Sequence, residues 1–319
     1  MIPSTAIAQL SEQMGDRVET DAPLGALTTY RVGGTADVRV RAESASDLVA
    51  IGRVVEAHGL RVVVLGKGSN LLVADDGYRG VVVTLGEGLS GIDIEATTVV
   101  AGGGAPLPVV ARRSAAASLT GFEWAVGVPG SIGGGVRMNA GGHGSDMAAS
   151  LVSVELVDLA SGREERLTAD RLELGFRCSA LRHTQVVVRA ELLLAEGDRE
   201  TAEAEITEIV RWRRENQPGG ANAGSVFTNP RPDSAGRLID EAGAKGLRIG
   251  SAHVSTKHAN FIQVDENGSA DDVAALMARV RSMVIDHCGI DMHAETHFLG
   301  FDPAVARAAG ALLVDGGDA

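Results

Sequence analysis

The segment Gly127–Gly135 reads GVPGSIGGG and continues as VRMNAGG to Gly142. Five of its nine residues are glycine, and such a segment is unstable unless a ligand or dense packing orders it. Trp124 and Val126 lie directly before it and favour a buried approach over a flexible surface loop. A helix beginning near 131–134 would point its first N–H groups at an anion such as a pyrophosphate. The segment therefore predicts a backbone cradle for a phosphate-bearing ligand.

A second glycine-rich turn, Gly66-Lys67-Gly68-Ser69-Asn70, follows a short β-branched strand. The dinucleotide fingerprint G-x-G-x-x-G fails here, because Leu71 stands at the third glycine and 71–73 is typical of a strand instead of a helix start. Successive backbone N–H groups in such a turn can still form an anion nest. A bare strand-to-strand turn, the alternative, would need fewer glycines. We expect contact with phosphate.

The rest of the chain before the linker is predicted to alternate strands and helices. Strands are expected at 36–41, 61–65, 80–85, 97–101, 151–159 and 185–195. Helices are expected over 106–118, over 199–215, and from a cap at Ser46 to Gly59.

Gln217-Pro218-Gly219-Gly220 combines a helix breaker with two flexible residues and is the best candidate for a linker. Beyond it, a helix is predicted from Ser269, where Ser269 and Asp272 resemble a capping box, to Gly289. Four apolar residues line one face of this helix: Val273, Leu276, Val280 and Val284.

Composition narrows the class of protein. The 319 residues are 45% hydrophobic and 22% charged, which indicates a folded chain of two or more domains. No apolar run approaches the roughly 18–20 residues of a membrane span, and the N-terminus lacks the pattern of a secretion signal. The net charge of −13 argues against nucleic acid or anionic lipid as general partners. Two distant cysteines, Cys178 and Cys288, indicate neither a disulfide framework nor a zinc cluster and favour the cytoplasm.

Three polar residues stand among unusual neighbours: Arg177, Ser225 and Glu295. Ser225 lacks the G-x-S-x-G pattern, so an acyl-transfer serine is not supported. Taken alone, Arg177 is typical of a surface salt bridge, and Glu295 is typical of a solvated strand. His293 and His297 are spaced for one face of a strand, but no third ligand is near in sequence, and we expect no metal.

Six stretches together resemble the family of UDP-N-acetylenolpyruvoylglucosamine reductases, flavoproteins of peptidoglycan synthesis. They are TYRVGG from Thr29, LGKGSNLL from Leu65, GFEWA from Gly121 through MNAG to Gly141, FRCS from Phe176, AGSVFTNP from Ala223, and KHANF from Lys257. The resemblance runs in order from about residue 20 to residue 301. Six motifs in one order are far more specific than any single motif.

The resemblance implies an α+β fold with a two-lobed FAD-binding domain of the vanillyl-alcohol-oxidase (PCMH) type, followed by a smaller α+β substrate domain. Combined with the linker, it predicts an N-terminal helical segment (1–19), an FAD-binding domain (20–215, with lobes of 20–89 and 90–215) and a substrate-binding domain (216–301). The remaining residues, 302–319, are rich in alanine and glycine, and we expect a loosely held tail.

For the reaction, the resemblance implies FAD, NADPH as hydride donor and UDP-N-acetylglucosamine enolpyruvate as acceptor. In the family, the serine that matches Ser225 donates the proton, and the residues that match Arg177 and Glu295 assist it. Arg177 is suited to bind the substrate carboxylate, whereas Glu295 can stabilise negative charge only when protonated.

The resemblance also implies binding residues. Those expected to bind the cofactor are Tyr30, Arg31, Gly33, Gly66, Lys67, Gly68, Ser69, Asn70, Pro129, Gly130, Ser131, Gly133, Gly134, Asn139 and Gly141. Those expected to bind the substrate are Asn229, Lys245, His258 and Asn260. The glycine segments contain no cysteine and no histidine except His143, so we expect the FAD to be non-covalent. The expected partners are small molecules, and a monomer is favoured.

Two residues depart from the family pattern. Phe176 stands where the family often has tyrosine, and Thr228 where it often has lysine, which affects binding of the substrate phosphates more than the reaction. The short spacing between Ser179 and Ser225 resembles the shorter family branch. One alternative is a flavin oxidase of the same fold that acts on another sugar or alcohol. Another is a non-catalytic nucleotide-sugar-binding protein.

Overall fold

A computed structural model describes residues 2–314. Helices occur along the whole described chain: α1 (Ser4–Met14), α2 (Ala45–His58), α3 (Leu107–Ala116), α4 (Ile132–Arg137), α5 (Arg199–Asn216), α6 (Ala235–Glu241), α7 (Ala270–Cys288) and α8 (Pro303–Ala309). The strands are β1 (Val18–Pro23), β2 (Thr35–Ala42), β3 (Val62–Leu65), β4 (Leu71–Val73), β5 (Tyr78–Leu85), β6 (Ile92–Glu95), β7 (Thr98–Gly102), β8 (Leu119–Thr120), β9 (Gly141–Gly142), β10 (Ser145–Asp146), β11 (Leu151–Asp158), β12 (Arg163–Thr168), β13 (Gln185–Leu193), β14 (Ala195–Glu196), β15 (Arg248–Ile249), β16 (Ala252–Val254), β17 (Ile262–Val264) and β18 (His297–Leu299). This mixture confirms the predicted α+β class.

The chain divides into two compact units and crosses between them several times. The first unit holds Met1–Thr20, Val38–Lys67 and Gly80–Arg213, and the second holds Asp21–Asp37, Gly68–Arg79 and Arg214–Ala319. The last crossing lies close to the predicted linker at 217–220. Two segments that precede the linker nevertheless belong to the second unit, and nothing in their composition indicates this.

The first unit is built on an antiparallel sheet in the order β12-β11-β13-β7-β6. Val186, Val187 and Val188 of β13 are all buried, and in the second half of the strand every second side chain enters the core, where Ala190 and Leu192 are fully buried. The edge strand β12 was not predicted, because its charged side chains are almost all exposed and show no alternation. A further sheet has the order β1-β2-β5-β3, and its strands β3 and β5 are parallel.

The N-cap of helix α2 lies two residues earlier than predicted. Ser44, not Ser46, is the N-cap, and its hydroxyl accepts the N–H of Asp47 at 3.1 Å. The Asp47 carboxylate accepts the N–H of Glu43 at 2.8 Å, which completes a reciprocal cap. Ser46 lies within the first turn. The predicted end at Gly59 is confirmed, since this residue has the left-handed conformation with φ +59°.

The second unit packs α7 on the antiparallel sheet β15-β16-β17. The predicted start of α7 is confirmed, because the Ser269 hydroxyl accepts the N–H of Asp272 at 3.2 Å. The predicted end is also confirmed by Gly289, with φ +72°. The predicted apolar face, Val273, Leu276, Val280 and Val284, is buried.

The segment Gly68–Arg79 is attached to the second unit by two features. Strand β4 pairs in parallel with β18, which places Leu72 beside Phe298, and both side chains are fully buried. The Asp75 carboxylate accepts the Ser269 hydroxyl at 2.6 Å and the N–H groups of Ala270 and Asp271 at 3.0 and 3.1 Å. A carboxylate at this position satisfies N–H groups that have no partner within helix α7.

The prediction of a loosely held tail from residue 302 is wrong for its described part. Asp302 caps helix α8 by accepting the N–H of Ala304 at 2.7 Å, and Ala306 and Ala309 are buried. Alanine favours helix, and its small side chain allows close packing, so an alanine-rich composition here indicates a packed helix. Residues 315–319 lie outside the described residues. Within 2–314, no helix is both long and apolar enough to cross a membrane.

Candidate active site

Ser225 precedes a short extended segment that pairs with the segment before Glu295. Phe227 forms an antiparallel bridge with Ala294, and the N–H of Glu295 donates to the carbonyl of Val226 at 2.8 Å. This bond makes Glu295 a direct neighbour of the residue that follows Ser225. Ser225 and Glu295 are both half-buried. The second unit thus brings together two of the three predicted catalytic residues, which are about 70 positions apart in sequence.

Asn260 holds the same segment from its other side. Its side-chain amide accepts the N–H of Phe227 at 2.9 Å and donates to the carbonyl of Phe227 at 2.8 Å, and its own carbonyl accepts the N–H of Val226. The side chain is 97% buried, at 3% exposure. Direct substrate binding by Asn260 is therefore not supported, since its amide already bonds the backbone. A sequence motif shows that an amide side chain is required, but it does not show whether the amide bonds a ligand or the protein backbone.

The other predicted substrate-binding residues are more accessible. Asn229 is exposed, and its side-chain oxygen accepts the N–H of Ala235 at 3.0 Å. The Lys245 ammonium pairs with Asp240 at 3.0 Å. The imidazole of His258 packs edge-on against Phe261 with 4.8 Å between ring centroids. Burial lowers the pKa of His258, and the nearby charge of Lys245 lowers it further, so its neutral form is favoured at pH 7.

Arg177 lies in the first unit and has a strained backbone, with φ +57°. Its guanidinium donates to the carbonyl of Gly141 at 2.8 Å and lies 5.0 Å from the ring centroid of Phe176, which is 67% exposed. The hydrogen bond holds Arg177 to the predicted cofactor segment, and the cation–π contact with the neighbouring Phe176 further orients the guanidinium.

Asn139 is predicted to bind cofactor but serves the protein backbone instead. Its amide donates to the carbonyl of Gly175 at 2.9 Å and accepts the N–H of Ala148 at 2.9 Å. The residue is 3% exposed. Its role in the structure is to hold the Arg177 turn against the segment after α4, and a side-chain contact with cofactor is not supported.

Three of the N–H groups predicted to face an anion at the start of α4 bond the protein instead. The N–H of Ile132 donates to Ala105, that of Gly133 to Gly103, and that of Gly134 to the Ser131 hydroxyl, at 2.9, 2.8 and 3.3 Å. These N–H groups are consumed by the neighbouring backbone and by the cap, so they do not face a ligand. Of the other predicted residues in this segment, Pro129 is exposed and the carbonyl of Gly130 accepts from Leu107.

The turn 66–70 retains the donors that an anion needs. Within residues 2–314, no protein acceptor takes the backbone N–H of any residue from Gly66 to Asn70. Gly66 and Lys67 are exposed, and Ser69 is half-buried. A Cβ atom on Gly66 would lie 2.8 Å from the Ser131 hydroxyl, so the first unit brings the two predicted cofactor segments together at this point. The Ser131 hydroxyl accepts from Gly134 and keeps its own proton for donation.

The remaining predicted cofactor residues lie in the second unit. Tyr30 is fully buried in its apolar core, which raises the pKa of the phenol, and its hydroxyl has no hydrogen-bond partner in the described part of the chain. A cofactor contact by this side chain is not supported. Arg31 is exposed, and a Cβ on Gly33 would lie 2.6 Å from the carbonyl of Val73. A Cβ on Gly68 would lie 2.4 Å from the carbonyl of Leu27, so packing within the protein explains both glycines.

Comparison of the sequence with known protein families identifies both halves of the chain. The FAD binding domain family matches residues 36–168, and the C-terminal domain family of UDP-N-acetylenolpyruvoylglucosamine reductase matches residues 216–299. The chain is 39% identical over 297 residues to the UDP-N-acetylenolpyruvoylglucosamine reductase of Bacillus licheniformis, covering 92% of this chain and 98% of that protein. The chain belongs to this reductase family. The reductase of Heliobacterium modesticaldum is 42% identical, with 87% of this chain and 89% of that protein covered.

Solved structures agree with the family. The crystal structure of the reductase (MurB) from Thermus caldophilus superposes with a TM-score of 0.79 at 35% identity, covering 89% of this chain and 99% of that one. Phl p 4.0202, a glucose dehydrogenase, has a TM-score of 0.51 at 13% identity over 90% of this chain and 64% of its own, a likeness in fold alone. The reductase-family member described here is thus an FAD-containing oxidoreductase that reduces UDP-N-acetylenolpyruvoylglucosamine in peptidoglycan synthesis.

The residues present fit the diphosphate of FAD. Exposed N–H donors at Gly66 and Lys67 adjoin the Ser131 hydroxyl, and backbone donors of this kind bind anions without the desolvation cost of a buried cation. The lysine side chain of Lys67 adds a positive charge at the same turn. Among the described residues, no group of three histidine, cysteine or acidic side chains is arranged to hold a metal ion.

Replacement of Gly66 by alanine tests the nest. The new Cβ meets only the hydroxyl of Ser131, so we expect the variant to fold, with a melting temperature lowered at most by loss of the bond that this hydroxyl accepts from Gly134. Displacement of the Ser131 hydroxyl should weaken FAD binding on the order of tenfold, the effect of one lost hydrogen bond to a charged group. The measurement is FAD titration of the apoprotein by flavin fluorescence. Gly91→Ala is the matched control, because its Cβ meets no atom within 4 Å. Equal affinity in both variants would show that 66–70 is only a turn.

Proposed function

We propose that this reductase uses NADPH to reduce its FAD and that Ser225 then gives the proton that completes reduction of the enolpyruvyl group. The observation that carries the proposal is the bond from the Glu295 N–H to the Val226 carbonyl, which sets Glu295 beside the residue after Ser225. Paired backbone segments that carry a hydroxyl and a carboxyl suit a site that delivers a proton to one carbon.

The chemistry defines what each residue must do. FAD, when bound, supplies a hydride to the CH₂ carbon of the substrate, which converts the C=C bond to a CH₃ group and leaves an electron pair at the α-carbon. Ser225 donates its hydroxyl proton to that carbon, and solvent restores the proton to the serine. Although a serine hydroxyl is a weak acid, a carbanion is a strong base, so the transfer is favourable.

Negative charge at the α-carbon spreads into the adjacent carboxylate, and Arg177 is proposed to bind that group through a charge-assisted hydrogen bond. Glu295, in its protonated form, is proposed to donate to the same charge. Phe176 offers a flat apolar surface beside Arg177, where the family often has a tyrosine.

We propose that residues 216–301 form the substrate-binding domain. Within it, Asn229, Lys245 and His258 are proposed to recognise the substrate. Lys245 supplies positive charge for the UDP phosphates in a protein whose net charge is −13. We assign Asn260 to positioning, because its amide bonds the backbone of Phe227. Thr228 donates from its hydroxyl to the carbonyl of His293 at 3.2 Å, so the position that often holds lysine supports the Ser225 segment here.

The proposed setting is the cytoplasm, with small molecules as the partners and a monomer as the working form. The charge balance disfavours nucleic acid and anionic membranes as partners. Both cysteines are free and exposed, which suits a reducing compartment.

We expect FAD to be bound without a covalent link. The glycine segments contain no cysteine, and their one histidine, His143, packs edge-on against Trp212 with 5.3 Å between the ring centroids. Denaturation followed by ultrafiltration should therefore release all of the flavin. Yellow colour retained on the polypeptide would contradict this prediction.

The reaction itself is tested by oxidation of the NADPH-reduced enzyme. UDP-N-acetylglucosamine enolpyruvate should restore the flavin absorbance faster than oxygen does. Faster reoxidation by oxygen would favour the alternative, a flavin oxidase of the same fold. A purified protein that does not bleach with NADPH would overturn the proposal altogether.

A further inference from the structure

Asn70 makes two bonds to the segment that carries Glu295. Its side-chain amide donates to the carbonyl of Glu295 at 2.9 Å, and its own carbonyl accepts the N–H of His297 at 3.1 Å. The two bonds bracket Thr296, whose side chain is fully buried. Asn70 and Glu295 belong to the same unit, although 225 positions separate them in sequence.

These contacts fix the backbone on both sides of the Glu295 α-carbon. The peptide plane before it is held by the bond from its N–H to Val226, and the plane after it is held by the bond from Asn70 to its carbonyl. When both planes are fixed, φ and ψ are fixed, and only side-chain torsions remain to aim the carboxyl group. Val226 supplies the first restraint and adjoins Ser225 directly.

We infer that Asn70 is a positioning residue for proton delivery, which sets the orientation of Glu295 relative to Ser225. The inference rests on the proposed function, and it gives the last residue of the turn 66–70 a task separate from cofactor binding. The side chain of Asn70 acts on the substrate-reducing step through Glu295, whereas anion binding is assigned to the backbone N–H groups of the turn.

The test compares Asn70→Ala and Asn70→Asp in the FAD-loaded enzyme. Both variants lose the donor to the Glu295 carbonyl, and the aspartate also turns a charged oxygen toward that carbonyl. We expect oxidation of the reduced enzyme by substrate to slow on the order of tenfold in Asn70→Ala, the effect of leaving one carbonyl unpaired, and to slow further in Asn70→Asp. FAD content and NADPH-driven flavin reduction should match the wild type.

The order of the two variants separates positioning from packing. If Asn70 only filled space, aspartate, which has nearly the same shape, would be the milder change. Gln263→Glu is the matched control, because the Gln263 amide also donates to a backbone carbonyl of the second unit, that of Gly219 at 2.8 Å, and does not contact Glu295. This control should show wild-type rates in both half-reactions.

The outcomes distinguish the inference from the proposed function. Loss of FAD, equal slowing of both half-reactions, or a milder effect of aspartate than of alanine overturns the positioning role and assigns Asn70 to cofactor binding or packing. The positioning role is also overturned if substrate oxidises the reduced enzyme at the normal rate in both Asn70 variants but slowly in Ser225→Ala. That result leaves the proposed function intact. Failure of the wild-type enzyme to be oxidised by substrate overturns the function itself.

Discussion

Ser225→Ala should slow oxidation of the reduced enzyme by UDP-N-acetylglucosamine enolpyruvate by about 10²–10⁴-fold, the range for a lost general acid. Flavin reduction by NADPH should be nearly unchanged, because no proton from Ser225 is needed before hydride reaches the substrate. Stopped-flow absorbance of the flavin measures the two half-reactions separately. The segment 223–228 carries two hydroxyl groups, those of Ser225 and Thr228. We expect a large effect because Ser225→Ala removes the one assigned to proton donation.

Two further variants make this result specific. Ser225→Cys keeps a proton in nearly the same place and should recover part of the lost rate. Ser282→Ala removes a hydroxyl from helix α7, where it contacts Asp286 at 3.5 Å, and should leave both half-reactions at wild-type rates. Equal slowing of the two half-reactions in Ser225→Ala, or no slowing of the oxidative one, means that Ser225 only packs at the start of its segment.

Gly103→Ala should destabilise the first unit by about 3 kcal/mol or more, the upper range for forcing an atom into a packed site. A Cβ on Gly103 would lie 1.7 Å from the carbonyl oxygen of Val187, which is backbone and cannot rotate away. Gly103 also donates to Val188 at 2.8 Å and accepts from Gly133 at 2.8 Å. Displacement of Gly103 therefore moves the start of α4, and FAD content should fall as well.

Thermal unfolding followed by circular dichroism measures this change. For a unit of this size, about 3 kcal/mol corresponds to a melting temperature lower by roughly 6–12 °C. Gly91→Ala places a Cβ in open space in the same unit, and its melting temperature should equal that of the wild type. A Gly103→Ala protein that melts with this control and retains its flavin would show that the sheet accommodates the extra atom.

Local patterns predicted the longest strands and helices, because burial imposes a period on the sequence. Strand β13 alternates, and helix α7 carries its cap, its apolar face and its terminal glycine within 21 residues. Strand β12 has no such period, since it lies at an edge and its side chains are solvated. Ser44 and Ser46 are equivalent as caps by composition, and only the carboxylate of Asp47, which reaches back to Glu43, distinguishes them.

The roles of the candidate site residues could not be read from the sequence. A motif shows that an amide or a glycine is required, and it does not show whether a ligand or the backbone requires it. Asn139, Asn260 and Gly68 were expected at ligands, and each makes its close contacts with protein backbone. The pairing of the Ser225 and Glu295 segments is non-local, so no short stretch of sequence encodes it.

Because Gly68–Arg79 belongs to the second unit, the substrate domain cannot be transferred to another protein as one continuous segment. Strand β4 supplies the partner of β18, and Asp75 supplies the cap of α7, yet both precede the linker by well over a hundred residues. A fragment cut at the linker would carry a strand without its β4 partner, a helix α7 without the Asp75 carboxylate at its first turn, and a core without Tyr30 and Leu72. Chimeras between family members therefore need matched exchanges at three places in the gene, and recombination at the linker alone should be selected against.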